Sequence, residues 1–217
     1  MELVVEPTNT TIELTNCVYI NPQDMQQLQT CPDSESTKDA LQFNVQVGDH
    51  AVFYAKASEK VHVGRILLSM LQRRSAFVSL DQQVSVSAFE ASVAGDGCEL
   101  SELMVEVEPL TKSAHEAKPE VSRDDLSAQF HECFKGHIFN NGQLFSMELD
   151  GLKYVCKVTG MNLATPVQSS VDKCVSKGLL TEKTVILFEA RAVEQSSSLP
   201  PFIIVRGSAS ACACDTR

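Results

Sequence analysis

The sequence predicts a β-rich protein of the mixed α+β class in two parts, an all-β part followed by a part in which a helix packs on strands. Three observations support this. Short segments that alternate apolar and polar residues follow one another closely through the first ninety positions. A helical apolar stripe then lies at 126–134, and a hairpin signal at Asp150-Gly151. With 217 residues, 43% of them hydrophobic, the chain can bury a core in one large domain or two small ones.

The first ninety residues contain closely spaced strand patterns. Residues 11–20 alternate and are rich in β-branched side chains, which predicts a half-buried strand that ends at Asn21-Pro22. The polar segment 23–38 cannot bury a face and predicts a short helical turn followed by an exposed loop. Further strands are predicted at 41–47, 51–55, 61–71 and 84–89, with a turn at Gly48-Asp49. We therefore predict a small all-β barrel or sandwich over residues 1–90.

One helix is clearly predicted in the second part of the chain. Residues 122–125 resemble a capping box that begins it, and Gly136 can end it in a left-handed conformation. Four residues share one apolar face at helical spacing: Leu126, Phe130, Cys133 and Phe134. We expect this whole face, with Cys133 as a small hydrophobic residue in it, to pack into a core.

Strands surround this helix. The clearest hairpin signal is Asp150-Gly151, because apolar residues alternate both into and out of this two-residue turn. The remaining predictions are strands at 100–107, 184–189 and 202–205, a polar loop at 111–120 and a helix at 171–180. Together they predict an α/β roll-like unit over residues 91–206, followed by a tail or linker at 207–217.

Charge and the absence of targeting signals limit the class of protein. The formal net charge is -10, so the overall field repels nucleic acid and anionic lipid, and an acidic partner would need a local basic patch. Neither a signal peptide nor a run of eighteen apolar residues is found, which predicts a cytoplasmic protein. Under that prediction the eight scattered cysteines are expected to be free thiols.

No group of residues points to catalysis within this chain. A Gly-x-x-x-x-Gly-Lys-Ser/Thr phosphate loop is missing, and five histidines could each serve as a base for a cysteine nucleophile without specific spacing. The possible metal ligands match no strong pattern; they are His131, Cys133, His137 and Cys156, and separately Cys212 with Cys214. We assign no catalytic residue, no metal and no cofactor to the chain.

The most informative basic residues are the adjacent Arg73 and Arg74. They follow Gln72 and end an apolar segment, where two guanidinium groups could bind carboxylates. On sequence alone, a solvated turn at a strand end is the favoured explanation, since two arginines are ordinary in a turn. Lys112 and Lys118, in the loop after the strand at 100–107, are weaker candidates.

Several strings then occur together and in order. They are residues 14–21, 68–74 and 84–90 in the first part, and residues 127–134, 139–145 and 185–189 in the second, with the hairpin around Gly151. Over residues 11–190 the chain resembles the N-terminal domain of the N-ethylmaleimide-sensitive fusion protein (NSF) family of vesicle-fusing AAA ATPases. The specificity lies in the number and order of the strings.

This resemblance implies a double-psi β-barrel subdomain followed by an α/β roll subdomain. In the family, a groove between the two binds the soluble NSF attachment protein (SNAP) on SNARE complexes and couples them to ATP-driven disassembly. The resemblance therefore implies a non-catalytic adaptor-binding module for vesicle fusion and intracellular protein transport, recruited to membranes through adaptors. ATP, Mg²⁺, hexamer formation and the family's reactive cysteine would belong to separate ATPase modules.

The resemblance also implies site residues. Arg73, Arg74 and Lys112 match basic positions that contact the acidic surface of the adaptor. Two positions depart from the family pattern: Glu6 stands where an arginine can occur, and Ser113 stands where a second lysine follows the first. These departures put the full basic footprint in question.

Two other functions are compatible with the sequence. One is an N-terminal domain like that of the valosin-containing protein, which binds ubiquitin-pathway adaptors, because fold alone does not specify the partner. The other is a free-standing cysteine hydrolase, which would need a thiol of perturbed pKa beside a histidine.

Overall fold

A computed structural model describes residues 1–8, 16–29, 42–49, 51–89, 98–110, 120–164, 177–190 and 203–205. Within these ranges the chain forms fourteen strands and three helices. A closed barrel comes first, and a helix with a four-stranded sheet follows. The predicted β-rich, mixed α+β class, with a double-psi-type barrel and an α/β subdomain, is confirmed.

The barrel contains six strands: β1 (Glu2–Pro7), β2 (Val18–Ile20), β3 (Gln42–Val47), β4 (Ala51–Ala57), β5 (Arg65–Leu68) and β6 (Gln83–Ala88). Their order around the barrel is β1-β5-β2-β4-β3-β6. β1 pairs in parallel with β5 and antiparallel with β6, which closes the ring. β2 likewise lies parallel to β4 and antiparallel to β5. Closure satisfies the edges that an open sheet of short strands would expose.

Alternating side chains fill the interior of the barrel. Leu3 and Val5 of β1 and Ile66 and Leu68 of β5 are buried, as the period of two requires. Two short helices lie between barrel strands in the described residues: α1 (Pro22–Gln29) and α2 (Met70–Ala76). Met25 and Leu28 of α1 complete the core.

In its described residues the second part has eight strands and one helix. They are β7 (Leu100–Pro109), β8 (Glu120–Ser122), α3 (Arg123–Phe134), β9 (Ile138–Asn140), β10 (Leu144–Leu149), β11 (Leu152–Leu163), β12 (Lys177–Leu179), β13 (Val185–Ala190) and β14 (Ile203–Val205). The main sheet has the order β10-β11-β7-β13. β12 pairs with β9, and β14 pairs with β8.

The predicted hairpin at Asp150-Gly151 is confirmed. Leu149 pairs with Leu152, which leaves a two-residue loop between β10 and β11. Asp150 and Gly151 have φ angles of 52° and 74°. Positive φ at both positions is typical of the type I′ turn, whose twist matches that of the strands.

Helix α3 forms as predicted, but its apolar face is narrower than expected. The Ser122 hydroxyl accepts a hydrogen bond from the N–H of Asp125, and Leu126, Phe130 and Phe134 are buried. Cys133 is exposed, so its predicted place in the core was wrong. Residues at i, i+4 and i+8 already fill the strip that faces the sheet, and Cys133 lies to one side of it.

Three other element predictions were wrong in part. The predicted strand at 61–71 is confined to Arg65–Leu68, and a helix begins at Met70. The described end of the predicted helix at 171–180 is strand β12, whose backbone pairs with β9. Glu120 begins β8 instead of ending a loop. The other residues of those two segments, 171–176 and 111–119, lie outside the described ranges.

Two hydrophobic clusters form the cores. One is made of residues between Leu3 and Val86 inside the barrel, and the other of residues between Leu100 and Phe188 around the sheet and α3. Residue 90, where we predict the domain boundary, and the tail at 207–217 lie outside the described residues, so both stay predictions. Among the helices of the described ranges, none has the length and apolar character needed to cross a membrane.

Candidate functional site

Helix α2, which carries the predicted arginine pair, begins with two reciprocal hydrogen bonds. The Ser69 hydroxyl accepts from the N–H of Gln72 at 3.1 Å, and the Gln72 Oε1 accepts from the N–H of Ser69 at 2.8 Å. Both side chains are buried. This capping box satisfies N–H groups that a helix leaves open at its start. Gln72 therefore fixes the beginning of the helix on which Arg73 and Arg74 follow.

Arg73 and Arg74 lie in the last turn of helix α2. The explanation of the pair as a turn at a strand end was therefore wrong. Arg74 is exposed, whereas Arg73 is half-buried and its Nε is shielded from solvent without a hydrogen-bond partner among the described residues. In those same residues, no carboxylate oxygen lies within the 4.0 Å of an ion pair from either guanidinium. Both charges are therefore available to an anionic group of a partner.

The helix is anchored to the second part of the chain through Ser75. The Ser75 hydroxyl accepts a hydrogen bond from the N–H of Leu144 at 2.8 Å and donates to the carbonyl of Leu71 at 2.9 Å. Leu144 is the first residue of β10. The arginine pair thus lies on an element that packs against both the barrel and the second sheet.

The end of α2 has an unusual residue. The N–H of Val78 donates to the carbonyl of Arg73 at 3.0 Å, and the N–H of Phe77 donates to the carbonyl of Arg74 at 3.4 Å. This is the Schellman pattern, in which the left-handed residue is most often glycine. Here it is Phe77, with φ 57° and ψ 38°. That conformation costs an L-residue about 1–2 kcal/mol.

Large apolar side chains are exposed around the same helix. The Phe77 side chain keeps 81% of its surface in solvent, and Met70 and Leu80 keep 55% and 43%. Sequence reasoning gave Met70 and Phe77 no role, because it placed Met70 in a strand at 61–71 and assigned Phe77 to no element. The Ser69-x-x-Gln72 spacing is the signal that would have revealed the helix.

Beyond the arginine pair, the structure describes Glu6 but not the other positions of the expected basic footprint. Lys112 and Ser113 lie outside the described residues. Glu6, which departs from the family pattern, is on β1 and forms an ion pair with Arg65 at 2.8 Å on the neighbouring strand β5. The negative charge at this position is therefore offset by an adjacent arginine.

His137 belongs to the contact between the two parts of the chain. Its ring lies 4.8 Å from that of Tyr54 on β4 and 5.6 Å from that of Phe134, beside a small cavity that Asn16 also lines. Burial lowers the pKa of His137, and the nearby carbonyls of Lys135 and Phe134 offset this only in part. The imidazole is thus a half-buried neutral contact at pH 7.

Two thiols in the described residues, those of Cys98 and Cys156, lack the environment of a nucleophile. Cys156 is fully buried, and burial raises the pKa of its thiol well above the usual range. Burial likewise raises the pKa of Cys98. A catalytic cysteine needs the opposite shift. Over the described ranges, no group of three or more His, Cys, Asp or Glu side chains is close enough to hold a metal ion.

Comparison with known proteins finds similarity to a vesicle-fusing ATPase. Over 179 residues, which are 82% of this chain, the sequence is 27% identical to the vesicle-fusing ATPase of Arabidopsis thaliana. The chain spans 22% of the length of that protein, and the match is to its N-terminal part. No family model matches the chain. The match confirms the resemblance to an NSF-like N-terminal domain that the sequence predicted.

Proposed function

We propose that this chain is the adaptor-binding N-terminal domain of an NSF-like vesicle-fusing ATPase and that it binds SNAP on SNARE complexes. The observation that carries the proposal is the arginine pair on α2, since neither guanidinium pairs with a carboxylate among the described residues. The similarity to a vesicle-fusing ATPase supports the same assignment. In this proposal the chain is a non-catalytic, cytoplasmic module that reaches membranes through its adaptor.

Electrostatics explains how the pair would act. On a chain of net charge -10, a local pair of guanidinium groups can select an acidic patch and orient it by paired hydrogen bonds. Because α2 also contacts β10, the bound adaptor would lie close to the junction of the two parts. Movement of an attached ATPase could then be passed to the SNARE complex through this junction. ATP and Mg²⁺ would act in the ATPase modules and have no role at this surface.

The footprint we propose also includes Lys112, as the resemblance implies. Glu6 would not repel an acidic adaptor strongly, because Arg65 lies against its carboxylate. Ser113 would make the footprint one charge smaller than in relatives that carry two lysines. We therefore expect the two arginines to provide most of the charge contribution to binding.

Charge reversal tests this proposal. Wild-type chain and an Arg73→Glu/Arg74→Glu variant are immobilised densely on beads, so that multivalency compensates for weak single contacts, and SNAP bound to a SNARE complex is added at low salt. We expect strong capture by the wild type and loss of capture by the variant. The matched control is Lys60→Glu/Lys183→Glu, which changes the net charge equally at two exposed turn residues outside α2.

Three outcomes would contradict the proposal. Absence of SNAP binding by a folded wild-type chain would exclude the function. Equal binding by the arginine variant, with its thermal unfolding unchanged, would exclude the site. Preferential capture of a ubiquitin-pathway adaptor, offered side by side, would assign the chain to that second kind of client. Rising salt should weaken true binding, because exposed charges are screened.

A further inference from the structure

The strained end of α2 has a feature that the basic surface does not account for. Phe77 occupies a left-handed position in which glycine is the usual residue. The residue is nevertheless 81% exposed to solvent. Non-glycine residues in the left-handed region are found most often at functional contacts.

Exposed apolar residues are concentrated at this place. Seven large hydrophobic side chains are exposed in the described residues, and three of them, Met70, Phe77 and Leu80, lie within residues 70–80. Isolated exposed hydrophobic residues are ordinary on protein surfaces, whereas a local group marks an interaction surface.

The apolar residues flank the two arginines. Met70 precedes Arg73 and Arg74 by three and four residues, which places all three on one face of the helix. Phe77 follows at the end of the same helix. Methionine side chains adapt to irregular surfaces, and arginine side chains form strong hydrogen bonds. Aromatic side chains commonly contribute most of the binding energy of an interface. The surface therefore combines a cationic centre with an apolar residue on each side.

We propose that Met70 and Phe77 are apolar anchors for a protein partner whose binding surface has an apolar pocket with an acidic rim. This inference rests on the proposed function, in which the partner is the SNAP adaptor. The arginines bring the acidic rim into register and speed association, and the Phe77 ring enters the pocket and slows dissociation. The net charge of -10 favours a protein partner over an anionic membrane.

The decisive variant is Phe77→Gly, because it separates binding from stability. Glycine fits the left-handed backbone, so the midpoint of thermal unfolding should equal or exceed that of the wild type. Loss of the ring should weaken SNAP binding about tenfold or more, mainly through faster dissociation. Phe77→Asn also tolerates this backbone conformation and should give the same result. Val185→Ala is the control, since Val185 is 53% exposed on β13 in the other part of the chain.

The measurements are association and dissociation rates of SNAP on the immobilised 217-residue chain, with thermal unfolding of each variant. Unchanged dissociation from Phe77→Gly and Phe77→Asn, while Arg73→Glu/Arg74→Glu abolishes binding, would overturn the anchor assignment and leave the proposed function intact. Absence of SNAP binding to the wild type would contradict both. Binding to phosphatidylserine vesicles that is lost in Phe77→Gly, without an effect on SNAP, would assign the surface to lipid instead.

Discussion

Asn16 and Ser146 are joined by three hydrogen bonds although 130 positions separate them. The Asn16 Nδ2 donates to the carbonyl of Ser146 at 2.6 Å, and its Oδ1 accepts from the N–H of Ser146 at 2.9 Å and from the Ser146 hydroxyl at 3.4 Å. Ser146 is buried on β10, the edge strand of the main sheet. One side-chain amide therefore takes the place of a neighbouring strand at this edge. It also links the segment before β2 to the second part of the chain.

Removing this amide should destabilise the protein. Asn16 has φ 54°, so Asn16→Gly keeps a compatible backbone and removes only the side chain. The N–H and carbonyl of buried Ser146 would lose their hydrogen bonds to this amide, and we expect the free energy of unfolding to fall by about 1–3 kcal/mol. Urea unfolding measures the change. Asn141→Ala, at an exposed turn residue, should change stability by less than about 0.5 kcal/mol, and an equal effect of the two variants would contradict the role of Asn16.

Stability should also depend on His137 at mildly acidic pH. Its folded-state pKa lies below the ordinary 6.5, so the unfolded state takes up a proton first as the pH falls. Titration of His137 therefore leaves the free energy of unfolding unchanged above pH 6.5 and lowers it as the pH falls below this value. His137→Phe keeps an aromatic ring without a titrating group. Urea unfolding between neutral pH and pH 5 should show a shallower loss for this variant, and identical slopes would refute the assignment.

Gly178 should not tolerate a larger side chain. A Cβ at this position would lie 2.2 Å from the Cδ2 of Leu100, and both residues are buried. We expect Gly178→Ala to lower the free energy of unfolding by about 1–3 kcal/mol. Leu100→Ala in the same chain should relieve the clash, so the double variant should lose less than the sum of the two single losses. Strict additivity in this cycle would show that the two side chains do not collide.

Thiol labelling should separate the described cysteines by exposure. Cys133 is exposed and should react with a maleimide in the native protein. Cys156 is fully buried, and burial also raises the pKa of its thiol, so labelling should require unfolding. Mass spectrometry of timed samples gives both rates. Rapid native labelling of Cys156 would contradict its buried position and would reopen the hypothesis of a cysteine hydrolase.

The elements that sequence predicted best are those with a local signal. Asp150 and Gly151 readily adopt the positive φ angles that the hairpin turn requires. Leu126 and Phe130 are spaced by one helical turn, a pattern that is visible within the segment itself. The segment at 61–71 was misassigned because its apolar residues fit a strand, whereas the bonds between Ser69 and Gln72 begin a helix there. Local hydrogen bonding outweighed the apolar pattern.

The candidate site was predictable only in part. Arg73 and Arg74 were identified by composition and resemblance, and the structure adds the helix that presents them. The exposure of Phe77 depends on the left-handed end of that helix, which no periodicity reveals. The contact of Asn16 with Ser146 is likewise invisible in sequence, because it depends on how two separately formed cores meet.

The pairing of β1 has a consequence for how the chain is made. Its neighbours in the barrel are β5 and β6, so Val4 pairs with Arg65 and Glu2 with Ser85. During synthesis, the apolar side chains of Leu3 and Val5 therefore have no sheet to join until both partner strands have left the ribosome. Such long-range closure is slow compared with the formation of local hairpins, and it leaves the first strand exposed to aggregation and to chaperones.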